Sequence, residues 1–536
     1  MAAKGPHPVL AGRRGRDELR WRDRTVLYAT VTITGAAVMM LELLGTRVIG
    51  PFFGVSLYVW SALIAVTMIA LALGYFLGGW CADRRPRIRL AHLVLLAALG
   101  TLAIIPLSGP VLAAADPFGV RAGALLGALA LFLAPLTCLG MSGPYVVKLA
   151  ARGVDGVGIA AGSVYAISTL GSVLGTLALG FYLLPILGTR RIVEGTGAVL
   201  LVLGLGLALY ERQLLGRTQV ATLAALVLAV LVALVAGVLS PVRVAEGFRV
   251  LHSAESMYGW VRVVDDERKG IRLLLSDASS IGAVDLRTGR TALAYQQILA
   301  LLPLVARRAG PGAAPAEEGG ALLIGLGVGY VATELDRQGL RTDAIEIDPA
   351  VAAAAIDFFG YRPAGRLILG DGRYEIRGLR QRYRLIIHDC FTGGAEPIHL
   401  LTRETFATLR SLLADGGVLA VNFVGFARGP GSEALAAVST TLASVFPHRR
   451  VFVTRPGAEF SDYVFLASQA PIEFAPRDDA DRAILAALAK LEIPPPQPVG
   501  VLLTDDFNPL EGMEVRKAEL YRRLFMDRVS PALLLR

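Results

Sequence analysis

The sequence predicts a protein of two parts, an N-terminal α-helical multi-span membrane domain and a C-terminal α/β domain with a doubly wound sheet. Long apolar blocks fill residues 26–240, whereas residues 241–536 have the composition of an ordinary globular protein. Strand-length and helix-length segments alternate after residue 320, which is typical of largely parallel sheets. The first of these strands ends in a glycine-rich turn of the kind found at nucleotide-type ligand sites.

With 536 residues, the chain exceeds the size of one domain, and its 54% hydrophobic and 18% charged content is unlike that of a soluble enzyme. A helix that crosses a bilayer needs about 20 apolar residues. Seven segments are predicted spans: 26–48, 57–80, 91–109, 121–147, 159–185, 193–210 and 219–240. The predicted order is a basic cytoplasmic N-terminus (1–25), the transmembrane domain (26–240), a small β-domain (248–290), the α/β domain (291–475) and a C-terminal segment (476–536).

The net charge of +9 comes largely from arginines that flank the apolar blocks. Clusters at 13–24 and 84–89 are typical of cytoplasmic loops under the positive-inside rule. No stacked aromatic and basic face accompanies them, so we expect a lipid bilayer and no nucleic acid among the partners. A cytoplasmic N-terminus followed by seven spans places the C-terminal domain outside the cell, whereas eight spans, or one re-entrant segment, would place it inside. We favour the inside, because the chemistry inferred below uses a cytosolic metabolite.

Glu42 lies inside the first apolar block. A carboxylate at this depth is costly in lipid and is expected to face the interior of a helix bundle. We interpret Glu42 either as a functional intramembrane residue or as a partner that fixes helix packing. The segment 74–85 has small residues at four-residue spacing, which allows close helix contact. It ends in a charged turn that loosely resembles one in major facilitator transporters, so transport is an alternative function.

Short alternating runs over 248–290 predict a β-meander, and a helix is predicted near 292–306. The α/β pattern follows. Strands are predicted near 321–326, 342–347, 366–370, 384–389, 416–423, 450–454 and 462–467. Helices are predicted near 328–338, 349–358, 402–412 and 431–444. The cysteines Cys81, Cys138 and Cys390 have no CxxC spacing, so we expect neither a disulfide framework nor a metal site.

Three glycines, Gly325, Gly327 and Gly329, follow the first α/β strand. Glycine lets the backbone turn tightly and approach a ligand. Glu346 ends the next strand, where a carboxylate accepts hydrogen bonds from ribose hydroxyls. An ordinary strand-to-helix turn without a ligand is the alternative interpretation.

Two more acids follow the next two strands. Asp371 comes after the third strand and Asp389 ends the fourth. Because the carboxyl ends of parallel strands meet at one edge of a sheet, these acids converge with Glu346 on the glycine turn. By position, Asp371 suits an adenine amino group, and Asp389 lies where chemistry would occur.

The order of these motifs resembles that of spermidine synthases and the wider polyamine aminopropyltransferase family. The resembling segments are 324–329, 346–349, 370–372, 387–389, 394–397 and 401–406. The whole chain is similar to bacterial integral-membrane spermidine synthase-like proteins, in which a multi-span region precedes this domain. The resemblance implies a Rossmann-like domain of the class I S-adenosylmethionine-dependent transferase type and a multi-pass location in the bacterial inner membrane.

The resemblance also implies the ligands and their residues. S-adenosylmethionine, or its decarboxylated form, is the implied cofactor and is consumed as a substrate. Its implied binding residues are Gly325, Gly327, Gly329, Glu346, Asp371 and Gly372. Asp389 is the implied base that takes a proton from an attacking amine, since an ammonium is not a nucleophile. A small-molecule amine or polyamine is the implied acceptor, and a homodimer is a further expectation.

The chain departs from the family at positions that bind amine charge. Val328 stands where the glycine turn of the family has an aspartate, and Thr392 stands where the strand-end motif has a second one. Asp505 and Asp506 lie in a turn-like stretch and are either substitutes for these acids or part of a capped surface turn. Candidate acceptor-binding residues are Tyr258, Tyr295, Gln296, Thr392, Asp505 and Asp506.

Three functional hypotheses follow. The first is transfer of an aminopropyl group to an amine with release of methylthioadenosine. The second is an enzyme that acts on intact S-adenosylmethionine, either a methyltransferase or one that cleaves or cyclises the molecule to methylthioadenosine. The third is a membrane transporter or sensor whose Rossmann-like domain binds the ligand without turnover.

Overall fold

The structure is a computed structural model that describes residues 21–54, 57–85, 88–151, 156–211, 217–239, 246–305, 319–391, 396–497, 500–528 and 533. The chain divides into two compact units. The first comprises Met1–Arg243 with Leu533–Arg536, and the second comprises Val244–Ala532. Each unit has its own buried apolar core.

Long helices make up the described part of the N-terminal unit. They are α1 (Trp21–Phe53), α2 (Leu57–Arg84), α3 (Leu90–Ala115), α4 (Gly119–Ala150), α5 (Val157–Ala178), α6 (Thr189–Glu211) and α7 (Arg217–Leu239). A π-helical turn at Leu179–Leu183 and a short helix at Leu184–Leu187 continue from α5. Each predicted span overlaps one of these helices.

Five stretches of this unit are long and apolar enough to cross a membrane, and Thr218–Ala233 is a shorter apolar segment. The longest stretch, Leu90–Ala150, contains both α3 and α4. A 3₁₀ turn at Asp116–Phe118 separates the two helices, with a proline inside it. Gly119 then adopts φ +74°, a left-handed conformation that favours glycine. The number of membrane spans therefore stays a prediction.

Glycines bring α2 close to α4, as the small-residue spacing predicts. A Cβ atom at Gly74 would lie 2.6 Å from the carbonyl oxygen of Thr137, and one at Gly78 would lie 2.5 Å from that of Met141. A larger side chain at either position would force the helices apart. Glu42 is partly buried on α1.

The second unit begins with an antiparallel sheet of four strands in chain order, in the region of the predicted β-meander. Its strands are β1 (Phe248–Glu255), β2 (Trp260–Asp266), β3 (Ile271–Ser276) and β4 (Ser279–Asp285). A helix follows over Ala294–Leu299 (α8), with a 3₁₀ turn at Leu302–Leu304. The predicted helix near 292–306 is thus too long. Pro303 lies within the 3₁₀ turn and lacks the N–H that a continued α-helix needs.

The other strands form one eight-stranded sheet in the order β12-β10-β11-β9-β8-β5-β6-β7. They are β5 (Ala321–Ile324), β6 (Thr342–Glu346), β7 (Leu367–Leu369), β8 (Tyr383–His388), β9 (Leu413–Phe426), β10 (His448–Val453), β11 (Phe460–Ser468) and β12 (Glu492–Ile493). Strands β5 to β9 are parallel, whereas β10, β11 and β12 pair antiparallel. A connection of six residues joins β10 to β11, and so short a link allows only antiparallel neighbours.

Helices cover both faces of this sheet. They are α9 (Tyr330–Arg337), α10 (Pro349–Phe359), α11 (Gly372–Gly378), α12 (Arg403–Leu412), α13 (Ser432–Ala443), α14 (Asp479–Ala489), α15 (Leu510–Met513) and α16 (Val515–Arg528). One apolar core includes Phe406 and Val438, and a second core includes Leu335 and Ala355. The buried faces of the sheet are therefore apolar, and the polar residues of the site gather at the carboxyl ends of its strands.

Candidate active site

A cleft opens at the carboxyl ends of β5, β6 and β8 and encloses about 1140 Å³, with its open mouth included. This is the edge at which ligands bind in doubly wound sheets. The sequence-predicted residues that line it are Gly325, Gly327, Glu346, Asp371, Gly372, Asp389, Tyr258 and Tyr295. Strands β4, β9 and β11 and helix α16 supply further lining residues.

The glycine turn has the left-handed backbone that its sequence predicts. Gly325 has φ +89°, and a Cβ atom there would lie 2.2 Å from the carbonyl oxygen of Asp389. Only glycine therefore allows the ends of β5 and β8 to approach this closely. Gly327 has φ +53° and faces the cleft, whereas Gly329, with φ +75°, precedes α9 as its N-cap.

Val328 is buried inside this turn and packs against the four-stranded sheet of β1 to β4. A Cβ atom at Gly282 of β4 would lie 2.2 Å from Cγ1 of Val328, so the valine side chain fills the space beside that glycine. Val328 is absent from the described lining of the cleft. The position at which the family has an amine-binding acid is therefore an apolar packing position.

Glu346 ties the glycine turn to the end of β6. Its carboxylate accepts hydrogen bonds from the backbone N–H groups of Leu326 and Asp348, both at 2.9 Å. Burial raises the pKa of Glu346, and these two hydrogen bonds act in the opposite direction. A carboxylate has about four lone-pair directions, so further hydroxyl donors can still bind it.

Asp371 follows β7 and begins α11, a helix that the sequence reasoning missed. Its carboxylate accepts a hydrogen bond from the N–H of Tyr374 at 3.0 Å, as expected of an N-cap aspartate. The Nε2 atom of His399 lies 3.1 Å from its other oxygen. Asp371 is 39% exposed at its side chain, so its carboxylate remains open to the cleft.

Asp389 lies just beyond β8 in the buried part of the cleft. Burial raises the pKa of Asp389 to about 7. Hydrogen bonds from Asn422 and Tyr295 lower it in part, while the nearby charges of Asp462 and Glu396 raise it. The Nδ2 atom of Asn422 donates at 3.0 Å. A carboxyl group with this pKa exchanges protons near neutral pH, as a general base must.

Some of the predicted acceptor-binding residues line the cleft and others do not. Tyr258 and Tyr295 line the cleft, the first exposed and the second hydrogen-bonded to Asp389. Gln296 is buried one position away, accepts a hydrogen bond from Thr291 at 2.6 Å, and donates to the Tyr295 hydroxyl at 3.3 Å. Gln296 therefore orients Tyr295 and is not part of the described lining. Thr392 lies outside the described residues.

Asp505 and Asp506 are exposed in the turn before α15. Asp505 forms an ion pair with Arg373, whose Nη1 donates to Oδ1 at 2.7 Å. This contact lowers the pKa of Asp505. Neither aspartate belongs to the described lining of the cleft, so this arrangement is that of a surface turn anchored by an arginine.

Sequence reasoning missed several polar residues on the far side of the cleft. Asp462 of β11, Asn422 of β9 and Tyr521 of α16 all line it. The ring of Tyr521 lies 5.0 Å from that of Phe391, and its hydroxyl donates to the Ser280 carbonyl oxygen at 3.3 Å. The only local signal for Asp462 is a charged residue inside an apolar strand pattern.

Lys517 fixes the C-terminal helix beside the cleft. Its ammonium group is buried between Glu396 and Glu514 and donates to both carboxylates. Burial acts to lower the pKa of Lys517, but the two negative charges outweigh it and the pKa is raised. Glu396 also accepts a hydrogen bond from the N–H of Val424 at 2.8 Å. The cluster therefore joins α16, β9 and the segment after β8.

Among the described residues, no group of three or more His, Cys, Asp or Glu side chains is arranged to hold a metal ion.

No protein-family model matches the chain. It is 30% identical over 249 residues to an N-terminal histidine N-methyltransferase of Emericella nidulans, covering 43% of this chain and 44% of that protein. It is 39% identical over 108 residues to a polyamine aminopropyltransferase of Vibrio vulnificus, covering 19% of this chain and 36% of that protein.

The chain thus spans less than half the length of these curated relatives. A crystal structure of a probable spermidine synthase from Corynebacterium glutamicum is 16% identical to the chain, with a TM-score of 0.37, covering 52% of this chain and 95% of that one. The sequence relatives transfer methyl or aminopropyl groups. Over part of its length the chain is therefore similar to transferases, which supports an enzyme.

Proposed function

We propose that the α/β unit transfers an aminopropyl group from decarboxylated S-adenosylmethionine to an amine and releases methylthioadenosine. The observation that carries this proposal is the charge of the cleft. Asp389 and Asp462 line it in partly buried positions, and no lysine or arginine belongs to its described lining. Such a site attracts cationic amines and offers no cation to the carboxylate of intact S-adenosylmethionine.

In the proposed reaction, a neutral amine nitrogen attacks the methylene carbon next to the sulfonium. A nitrogen–carbon bond forms, the carbon–sulfur bond breaks, and sulfur keeps the electron pair in neutral methylthioadenosine. Asp389 accepts the proton that the nitrogen loses. The Tyr295 hydroxyl and the Asn422 amide hold the Asp389 carboxylate for this step.

The adenosyl part of the substrate fits the opposite half of the cleft. Gly325 and Gly327 allow a close approach of backbone and ligand. Glu346 keeps acceptor capacity for ribose hydroxyls after its two backbone hydrogen bonds. Asp371 presents a half-open carboxylate that suits the adenine amino group.

Methyl transfer from intact S-adenosylmethionine to a nitrogen nucleophile is the second candidate. The specific observation that favours it is Val328, which leaves the glycine turn without the acid that binds an aminopropyl amine. The relative from Emericella nidulans, named as a methyltransferase that acts on an N-terminal histidine nitrogen, is consistent with it. Asp389 would act as the base in this reaction too, because a nitrogen nucleophile loses a proton in both cases.

The product separates the candidates. Purified full-length protein is incubated with each form of the cofactor, with and without putrescine or hexylamine, and the nucleoside products are resolved by mass spectrometry. Aminopropyl transfer predicts amine-dependent methylthioadenosine from the decarboxylated form. S-adenosylhomocysteine from the intact form supports methyl transfer, and methylthioadenosine without amine supports cleavage or cyclisation. Ligand binding with no turnover under any condition supports the sensor or transporter.

We further propose that the N-terminal unit spans a lipid bilayer, with the basic N-terminus in the cytoplasm. The five long apolar stretches support this, because each is long enough to cross a hydrocarbon core of about 30 Å. We place the α/β unit in the cytoplasm because its proposed substrate is made there. A cysteine introduced at exposed Thr288, in a background without native cysteines, tests the side. Labelling by an impermeant maleimide in intact cells would contradict the placement.

A further inference from the structure

A second cavity adjoins the cleft on the side away from the glycine turn. The two share lining residues, which are Ser280, Leu293, Tyr295, Val424, Asp462 and Tyr521. The second cavity continues between β3, β4, β11 and α16. Because Tyr295 also hydrogen-bonds Asp389, the shared residues connect this cavity to the proposed base.

Asp462 stands at the junction of the two cavities. In the antiparallel pairing of β11 with β9, Asp462 lies opposite Val424, and opposite residues point to the same face of a sheet. Residues two apart on a strand also share a face, so Asn422 points the same way as Val424. Asn422 donates to Asp389. Asp462 is therefore on the face that holds the base.

The Asp462 side chain is partly buried, and few groups compensate its charge. Thr454 Oγ1 lies 3.1 Å from its Oδ2 atom as a hydrogen-bond donor. None of the ion pairs among the described residues includes Asp462, although hydrogen bonds from Thr454 and from the Asp462 backbone and the charge of Arg455 act to lower its pKa. Burial raises the pKa of Asp462. A partly buried carboxylate in this position is stabilised by a ligand that brings a positive nitrogen.

The rest of the second cavity defines the body of that ligand. Its wall is mostly apolar, with Ile271, Leu273, Ala283, Phe460, Leu524 and Phe525. Apart from the residues shared with the cleft, its polar residues are Thr454, Lys269, Arg455 and Asp266, and Asp266 is already paired with Lys269. Two cations and one carboxylate leave a net positive charge in this part of the cavity, which disfavours a second ammonium group on the ligand. An aliphatic amine with one positive nitrogen matches this lining better than a polycation.

We infer that the acceptor reaches Asp389 through the second cavity and that Asp462 binds its ammonium group. This group passes one proton to Asp389 and becomes the neutral nucleophile, and the nitrogen of the product is again an ammonium. The acceptor class is an aliphatic monoamine, whose apolar stem lies in the second cavity. This inference rests on the proposed transfer to an amine and adds the acceptor's route, its class and the residue that selects it. Asp462 is a binding residue in this scheme, distinct from the base Asp389.

The test measures binding separately from turnover. Full-length protein saturated with methylthioadenosine is titrated with hexylamine and, separately, with 1,6-diaminohexane. The wild type is expected to bind hexylamine more tightly. Asp462→Asn is expected to weaken hexylamine by about tenfold or more, the size expected for loss of one charged hydrogen bond, and to leave methylthioadenosine affinity unchanged. Asp415→Asn, on an exposed residue of β9, is the matched control.

A second pair of variants tests the route. Ala292 lines the second cavity and is exposed, so Ala292→Trp narrows the cavity without disturbing the core. It is expected to weaken hexylamine severalfold, whereas Ala353→Trp on the exposed side of α10 is expected to change nothing. Unchanged hexylamine affinity in Asp462→Asn, tighter binding of the diamine, or no amine binding by the wild type would overturn the inference. Binding without amine-dependent turnover would instead contradict the proposed transfer alone.

Discussion

The two halves of the cleft are built in different ways. The half with the glycine turn takes its polar groups from residues 325–372, and Glu346 and Asp371 are each held by backbone N–H groups close to them. The half around Asp389 is assembled from β8, β9, β11 and α16, which are far apart in sequence. The first half is a local motif, whereas the second depends on strand pairing and helix docking. The proposed acceptor side therefore depends on the fold of the whole unit, whereas the proposed adenosyl side is set by a local segment.

The largest expected effect concerns the base. Asp389→Asn removes proton acceptance and keeps the size of the side chain, so kcat is expected to fall by about 10²–10⁴. Affinity for methylthioadenosine, which depends on the other half of the cleft, should stay within about twofold of wild type. Single-turnover kinetics and calorimetry measure the two quantities, with Asp415→Asn as the control. Full activity in Asp389→Asn would show that the assignment of the base is wrong.

The next effect concerns the docking of α16. Lys517→Met leaves Glu396 and Glu514 buried without their cation, which is expected to cost about 3–5 kcal/mol of stability. The measurement is thermal unfolding of the α/β unit in detergent, with exposed Lys490→Met as the control. Lys517→Met combined with Glu396→Gln and Glu514→Gln should recover part of the loss, because no unpaired charge then remains. A Tm of Lys517→Met equal to that of wild type would contradict this account of the cluster.

A smaller effect concerns the pH dependence that the acceptor half imposes. The base must be ionised, so kcat/KM is expected to rise with pH through about 7, the pKa of Asp389. Asn422→Leu removes a hydrogen bond that lowers this pKa, so the rising limb should move to higher pH. Asp462→Asn removes a negative charge that raises it, so the limb should move to lower pH. Steady-state rates from pH 5 to 9 check the direction of both shifts. An equal loss of kcat/KM at every pH would contradict the effects of Asn422 and Asp462 on the pKa of Asp389.

The smallest effect concerns the surface turn. Asp505 pairs with Arg373 at a partly exposed position, and such pairs contribute about 0–1 kcal/mol. Asp505→Asn is therefore expected to change the KM for the amine by less than about twofold. A large increase in that KM would favour the sequence-based hypothesis that Asp505 replaces a lost amine-binding acid.

Much of the placement of the glycine-turn half of the cleft could be predicted from the sequence, whereas its adenosyl-binding role stays a prediction. The strand, the three glycines and the acids at the ends of β6, β7 and β8 follow local rules about turns and parallel sheets. Helix α11 was missed because it has only seven residues and its start depends on Asp371, which acts as its N-cap. The apolar contact between Val328 and β4 could not be predicted either, because it depends on how the four-stranded sheet packs against the glycine turn.

The acceptor half could not be predicted in the same way. Asp462 reaches the cleft because β11 pairs antiparallel with β9, and a local sequence pattern does not determine the order of strands in a sheet. Tyr521 reaches it because α16 docks there through Lys517, which pairs with two glutamates that lie 121 and 3 residues away in sequence. Asp505 and Asp506 are candidates by residue type and their role stays a prediction, while the structure pairs Asp505 with Arg373.

The most direct test compares the same substitution in the two halves. Asp371→Asn and Asp462→Asn are each titrated with methylthioadenosine and, at saturating methylthioadenosine, with hexylamine. The account predicts a crossed result, in which Asp371→Asn weakens only the nucleoside and Asp462→Asn weakens only the amine. Loss of both ligands in both variants, or of the nucleoside alone in Asp462→Asn, would contradict the division of the cleft into an adenosyl half and an amine half.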